Sequence, residues 1–315
     1  MRIALLYHGR LPVEGYGGTG RVVHWLARGL AELGHEVMLL AAPGSRVPEA
    51  RLVPVDPGRA EHQDFDPRPL LPDGVEVLHA HRPIAVAGTP TLWTLHGTAK
   101  RADYPPNMVC LSRDHADRSG AAAFVHNGLD PAEYRFRRDK EAFDLFLGRL
   151  HSAKGWQWAV TGARRSGHKL VVAGGWKSLF RPGVRTVGRV DGERKQALLA
   201  GARCLWMPAR WDEPFGLTLI EAMASGTPVL GTRRGALPEV VAPDTGALGD
   251  TLEELIALRP AIERIDPEAC RARVTSQFSH RVMAGRYLEL YREVMDTGKL
   301  RQRSTVNGKR IADSG

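Results

Sequence analysis

Residues 213–229 read Glu213-Pro214-Phe215-Gly216-Leu217-Thr218-Leu219-Ile220-Glu221-Ala222-Met223-Ala224-Ser225-Gly226-Thr227-Pro228-Val229, a loop, a short helix and a strand in succession. Pro214 and Gly216 forbid a helix around Glu213. Thr218 is placed to cap a helix that turns Leu219, Ile220 and Met223 inward. Gly226 and Pro228 end that helix, and Val229-Leu230 starts a buried strand. A helix start behind a Gly-bearing loop leaves backbone N–H groups unpaired, which suits a phosphate or a sugar hydroxyl. Glu213 stands on the loop ahead of that start and Glu221 about one turn inside, so two acceptors could grip a polyol from two sides. Taken alone, two glutamates near a helix start are explained equally well by the helix dipole.

Outward from this stretch the chain alternates between strand and helix. Strands at 143–147, 169–173, 186–188 and 204–207 and helices at 155–165 and 193–201 lead into it. Near the N-terminus, 2–7 is a strand, 12–20 a loop, and Val22, Val23, Leu26, Leu30 and Leu33 mark a helix over 21–33. Further strands follow at 37–42, 75–79, 91–96, 108–111 and 123–125. The pattern predicts an α/β fold with two parallel-sheet, Rossmann-like α/β/α domains facing across a cleft, with ligands at the carboxyl ends of the strands. The polar run 130–138 reads as the connection. The expected domains are therefore 1–138 and 139–280, then a terminal helix over 281–297 that crosses back to the first domain. A basic tail, 298–315, has no periodicity and is expected to lack regular structure. The Pro-rich stretch 43–72 reads mostly as loop, long enough to hide a short element.

A formal charge of +9, from 44 Lys and Arg against 35 Asp and Glu, favours anionic partners: a nucleoside diphosphate or an anionic membrane surface. No zinc-finger, RRM or recognition-helix pattern is present, so nucleic acid is not expected. Cys110, Cys204 and Cys270 are widely spaced and form no C-x-x-C pair, which argues against a disulfide framework or zinc site and fits a reducing cytosol. The apolar run at residues 3–7 is too short for a signal peptide. A cytoplasmic protein is expected, with peripheral attachment to the inner face of the membrane left open.

Gly15-Tyr16-Gly17-Gly18-Thr19-Gly20 is a literal G-x-G-x-x-G. Its context rejects NAD: the glycines do not follow the strand directly, and the second strand ends in Leu40-Ala41-Ala42-Pro43 with no acidic residue for a ribose. Instead the backbone of Gly17 and Gly18, at a helix start, can approach a phosphate or sugar. Arg149 and Lys154, in Gly148-Arg149-Leu150-His151-Ser152-Ala153-Lys154-Gly155, lie in the loop at a strand's carboxyl end. On their own such bases are more often surface charges than site residues, but here they stand where a leaving diphosphate needs fixed cations. His96 ends a strand before Gly97, where a lone histidine is commonly structural. His79 and His81 read as cleft-shaping, with His81 a candidate on the acceptor side. Asn127-Gly128 reads as a turn with special backbone angles, and Gly235-Ala236-Leu237-Pro238-Glu239 as another turn. The tryptophans at 156, 158 and 176 either flank a nucleotide base or belong to the core.

These segments, in order over about residues 1–241, resemble family 4 glycosyltransferases of the GT-B class. Glu213 and Glu221 match the E-x7-E donor segment, and Gly148 to Gly155 the G-R-x-x-x-x-K-G signature. Gly17-Gly18 matches the first glycine loop, His126 to Asp130 the N-G-V/I-D junction, and Gly235 to Glu239 the G-x-x-P-E turn. The chain departs from the pattern at Gly20, where relatives often carry Glu. The resemblance implies transfer of a hexose-type sugar from a nucleoside-diphosphate sugar (UDP, GDP or ADP) with anomeric retention, no metal and no cofactor. Glu221 would accept from the ribose diol and Glu213 from donor-sugar hydroxyls. The backbone of Phe215, Gly216, Leu217 and Thr218 would hold sugar and phosphate, Arg149 and Lys154 the diphosphate, and His96 would lie near the reacting carbon. The acceptor would be a small molecule or lipid-linked. A GT-B nucleotide-sugar epimerase and a degenerate sugar-nucleotide-binding regulator are the alternatives.

Overall fold

The computed structural model describes the chain apart from residues 16, 63, 100–102, 176–180, 302–303, 307–308 and 312–315. It divides into two units, Met1–Gly128 with His280–Gly315, and Leu129–Ser279. The expected junctions, after 138 and 280, lie slightly downstream of these. The reason is bonding: Leu129 N–H donates to the Phe278 carbonyl (3.0 Å), and Arg271 donates to the Tyr134 carbonyl (2.9 Å), so residues 129–138 belong with the second unit.

The first unit runs β1 (Arg2–Leu6), α1 (Gly18–Glu32), β2 (Glu36–Ala41), β3 (Arg51–Pro54), α2 (Pro57–Glu61), β4 (Val77–Ala80), β5 (Thr91–Thr94), β6 (Met108–Cys110), α3 (Arg113–Ser119) and β7 (Ala123–Phe124). Its sheet has the order β3-β2-β1-β4-β5-β6-β7, and every pairing is parallel. Helices cover both faces of such a sheet, which is why its central strands are unbroken apolar runs such as Ile3 to Leu6. The stretch read as loop holds β3 and α2. β3 is a partly exposed edge strand without the apolar run that marks the others, and α2 is a single turn capped by Asp56.

The second unit runs β8 (Asp144–Leu147), α4 (Trp156–Arg165), β9 (Leu170–Ala173), β10 (Val184–Thr186), α5 (Gly192–Gly201), β11 (Leu205–Met207), α6 (Leu217–Ala224), β12 (Val229–Thr232), α7 (Leu237–Val240), β13 (Gly246–Gly249), α8 (Leu252–Ile262) and α9 (Pro267–Gln277). Its parallel sheet has the order β10-β9-β8-β11-β12-β13. Its core carries a buried ion pair. Asp144, the first residue of β8, accepts from Arg259 Nε (2.8 Å) and Nη2 and from Trp206 Nε1 (2.7 Å).

The chain then returns to the first unit as α10 (His280–Thr297). It packs on α1, where Gly29 permits close approach: a Cβ there would lie 2.5 Å from the His280 carbonyl oxygen. Beyond it, β14 (Ser304–Val306) and β15 (Lys309–Ile311) pair antiparallel, in the tail expected to lack regular structure. Among the described residues no helix is long and apolar enough to cross a membrane.

Candidate active site

In each unit the strand order reverses beside its first strand, between β1 and β4 and between β8 and β11. The carboxyl ends of strands at such a reversal are where open α/β sheets bind ligands, because the loops there diverge to opposite faces. The second unit places three of the expected residues at that point. Arg149 and Lys154 follow β8, and Glu213 follows β11.

Two close approaches hold these loops together. Gly155 has φ +72° and lies against the end of β11, where a Cβ would meet the Pro208 carbonyl oxygen at 1.7 Å; Arg210 N–H also donates to Ala153 O (2.7 Å). Only glycine fits there. Lys154 Nζ consequently reaches Glu213 Oε2 at 2.5 Å, over the Trp211 ring at 4.8 Å, while Trp211 Nε1 donates to the same oxygen at 2.9 Å. Behind Glu213, Gly235 (φ +57°) comes so near that a Cβ would stand 2.4 Å from Glu213 N and O, and Ala236 N–H donates to Glu213 O (2.9 Å). The Gly235 to Glu239 turn thus fixes the Glu213 backbone. Arg149 is exposed and, among the described residues, has no ion-pair partner.

Glu221 is 1% exposed on α6. Its Oε1 accepts from Lys195 Nζ (2.6 Å) and Tyr134 OH (2.9 Å). Neither partner was singled out by the sequence reading. Lys195 sits on α5 in no motif, and the available signal was the buried carboxylate's need for a counter-charge. Thr218 does not cap α6. Gly216, at φ +87°, is the capping residue, and Thr218 lies inside the first turn. A left-handed N-cap admits glycine most readily and frees the N–H groups of Leu217 and Thr218 from any side-chain cap. Trp156 and Trp158 pack against the unit's core, and Trp176 lies outside the described residues.

The first unit carries Gly17, Gly18 and His96. Helix α1 begins at Gly18, not at Arg21, so Gly17 is its N-cap and Gly18 to Gly20 form its first turn. Packing dictates two of these glycines. A Cβ at Gly17 would lie 2.5 Å from Val13 Cγ1, and one at Gly20 would lie 2.2 Å from Val13 Cγ2. Glutamate therefore cannot stand at position 20 unless Val13 moves. Asn127 and Gly128 do not supply the special angles expected of them: neither has a positive φ, and Gly128 N–H instead points at Met283 Sδ (3.1 Å).

His96 leaves β5 partly buried, and its Nε2 lies 2.9 Å from His81 Nδ1. His79, one step deeper, is wholly buried, with Tyr291 OH at Nδ1 and Thr94 Oγ1 at Nε2, both 2.8 Å; Thr94 Oγ1 also meets Tyr287 OH at 2.8 Å. Burial and mutual repulsion disfavour the charged rings. His79 and His81 are pushed well below the usual histidine range, His96 to about 3 and His115 to about 4. These four rings are polar but uncharged. A recess of about 850 Å³ opens beside the β1–β4 reversal, lined by His8, Phe65, Arg82, Ile84 and Val86 among others.

Two Rossmann-like parallel-sheet units, of seven and six strands, are the architecture of GT-B glycosyltransferases. Comparison with known proteins gives the same answer. Residues 144–264 match the family model "Glycosyl transferases group 1". The structure of AviGT4, a glycosyltransferase involved in avilamycin A biosynthesis, superposes with a TM-score of 0.79 at 30% identity, covering 94% of this chain and 98% of that one. A phosphatidyl-myo-inositol mannosyltransferase of Propionibacterium freudenreichii is 28% identical over 298 residues, 75% of this chain and 78% of its own length. Glycogen synthase of Mycobacterium tuberculosis is 29% identical over 196 residues, 53% of this chain and 47% of its own, so the match spans about half of that relative. The chain belongs to the group 1 glycosyltransferases, with the GT-B fold.

Proposed function

We propose that the protein transfers a hexose-type sugar from a nucleoside-diphosphate sugar to a hydroxyl of an acceptor, with retention at the anomeric carbon and without a metal. The observation that carries this is the Lys154–Glu213 pair at the β8–β11 reversal, beside Arg149, which has no ion-pair partner among the described residues, and the start of α6 with no side-chain cap. A departing nucleoside diphosphate gains negative charge, and cations already fixed in place stabilise that charge most at the transition state. Arg149 and Lys154 supply that charge, and the N–H groups of Leu217 and Thr218 supply donors beside it. Glu213, held by Lys154 and Trp211, orients sugar hydroxyls. Glu221 keeps Lys195 in place and accepts from the ribose. His96 contacts the sugar. The family resemblance supports retention, and a front-face displacement guided by the departing phosphate is compatible with it.

The acceptor occupies the recess beside β1 and β4. Its lining mixes His8, Arg68 and Arg82 with Glu61, Asp64 and Asp66, which suits a neutral polyol over a strongly anionic headgroup. A small-molecule or lipid-linked polyol meets that chemistry.

The test is turnover. The purified protein is incubated with UDP-, GDP- and ADP-hexoses and a polyol acceptor panel, with and without chelator. Release of one nucleoside diphosphate with a product of unchanged anomeric configuration is expected, insensitive to chelator. Donor converted to an isomer without nucleoside diphosphate release would identify an epimerase. Binding without turnover across the panel would favour the regulator.

A further inference from the structure

The histidines of the first unit form a repeated pair along β4 and β5. The parallel register sets His79 beside Leu92 and Ala80 beside Trp93, so same-face side chains meet two residues further along β5. His79 therefore reaches Thr94, and His81 reaches His96. Both nitrogens of His79 are occupied, by Thr94 and Tyr291. His81 is 7% exposed, its ring 4.5 Å from that of His79 and tilted 33° to it, and its Nε2 is buried with no hydrogen-bond partner among the described residues. His96 has its one ring contact at Nε2, which leaves Nδ1 as the nitrogen without a protein partner among the described residues.

His115 fixes the neighbouring backbone. Its Nε2 lies 2.9 Å from the Gly97 carbonyl, which can only accept, and its Nδ1 accepts from Leu111 N–H at 3.2 Å. His115 is therefore neutral with its proton on Nε2, and it anchors the residue after His96.

The His81–His96 contact admits two arrangements. In one, His81 carries its proton on the orphaned Nε2, leaving a buried N–H with no acceptor. In the other the proton sits on His81 Nδ1 and is donated to His96 Nε2, so the unpartnered atom is a lone pair. Orphaned buried N–H groups are the rarer and more costly case. We infer that His81 is a positioning residue that donates to His96 Nε2 and so locks His96 as a neutral ring with its proton on Nδ1, facing outward as a hydrogen-bond donor. This rests on the reading of His96 as a sugar-contacting residue. The consequence is specific: His96 offers a hydroxyl oxygen of the substrate an N–H, and does not act as a base toward the acceptor.

The experiment reads the tautomer directly. In the ligand-free full-length protein with ¹⁵N-labelled histidine rings, assigned with His81→Asn and His96→Ala, the His96 Nδ1 resonance should be of the protonated, pyrrole type and Nε2 of the unprotonated, pyridine type. The opposite pattern overturns the inference. Turnover supplies the second arm. His81→Asn places an amide N–H near the position of Nδ1 and should keep kcat/KM within about threefold, whereas His81→Leu, with no donor, should lose about tenfold. Equal activity in the two variants, or losses that follow their melting temperatures, would overturn it. Full activity in His96→Ala would remove the underlying reading while leaving the tautomer result intact.

Discussion

Inside the second unit the buried carboxylates Asp144, Glu213 and Glu221 are paired with cations: Asp144 with Arg259, Glu213 with Lys154, Glu221 with Lys195. Inside the first, at the corresponding carboxyl ends of the strands, the paired groups are neutral: His79, Thr94, Tyr287 and Tyr291 in one chain, His81 with His96 in another. On the proposed function, the contrast follows what each end would have to meet. A diphosphate is an anion and needs fixed cations, which in turn need carboxylates to hold them while no ligand is bound. A sugar or polyol is neutral and calls for donors and acceptors of defined direction, for which an uncharged histidine is suited.

The contrast can be broken first at its strongest pair. Asp144→Ala leaves Arg259 buried without its partner and Trp206 Nε1 without its acceptor. A loss of about 3–5 kcal/mol in unfolding free energy is expected for the second unit, measured by denaturant titration. A loss below about 1 kcal/mol would mean the pair is idle.

Next come the site cations. Arg149→Ala and Lys154→Ala should each lower kcat/KM about 100-fold or more. Arg149, exposed and unpaired, should leave the melting temperature unchanged, whereas Lys154→Ala should lower it, since Glu213 loses its partner. Normal turnover in Arg149→Ala would defeat the assignment of the diphosphate to this loop.

Acid should then separate the two units. The folded-state values of His79, His81, His96 and His115 all lie below that of the unfolded chain, near 6.5. Below about 6.5 the unfolded chain takes up protons that the folded one refuses. The first unit's stability is thus fully present above that value and falls as pH drops toward about 4, where His115 titrates, and about 3, where His96 does. Calorimetry from about pH 7.5 down to about 5 should show a falling first-unit transition, and His79→Leu should flatten that fall. An unchanged slope in that variant would count against the neutral network.

The smallest effect belongs to the neutral chain itself. Tyr291→Phe removes one hydroxyl and strands His79 Nδ1, for an expected loss of about 1–2 kcal/mol. A loss as large as that of Asp144→Ala would erase the distinction between the two interiors.

Much of this was legible in the chain. The parallel α/β halves follow from apolar runs, because a strand buried on both faces must be apolar throughout, and Ile3 to Leu6 and Leu170 to Ala173 are. The loop bearing Arg149 and Lys154 and the segment bearing Glu213 and Glu221 were recognisable because their spacing along the chain is itself the motif. β3 and α2 were not, since neither carries a full apolar period. The cap of α6 was misread because Thr218 has the right chemistry, while Gly216 acts through a backbone angle that sequence does not display.

What the sequence determined by itself is therefore the family, the alternation of strand and helix, and which loops bear the family's motif residues, all of them properties of neighbours along the chain. Tertiary structure decided the partners: Lys195 for Glu221, Trp211 with Lys154 for Glu213, His81 for His96, Arg259 for Asp144. It also decided that Gly20 cannot be glutamate while Val13 stays where it is. The physical reason is common to all of these. The cost of a buried charge, an unpaired N–H or an overlapping Cβ depends on what lies across the fold, and that is set only once residues far apart in sequence are brought together.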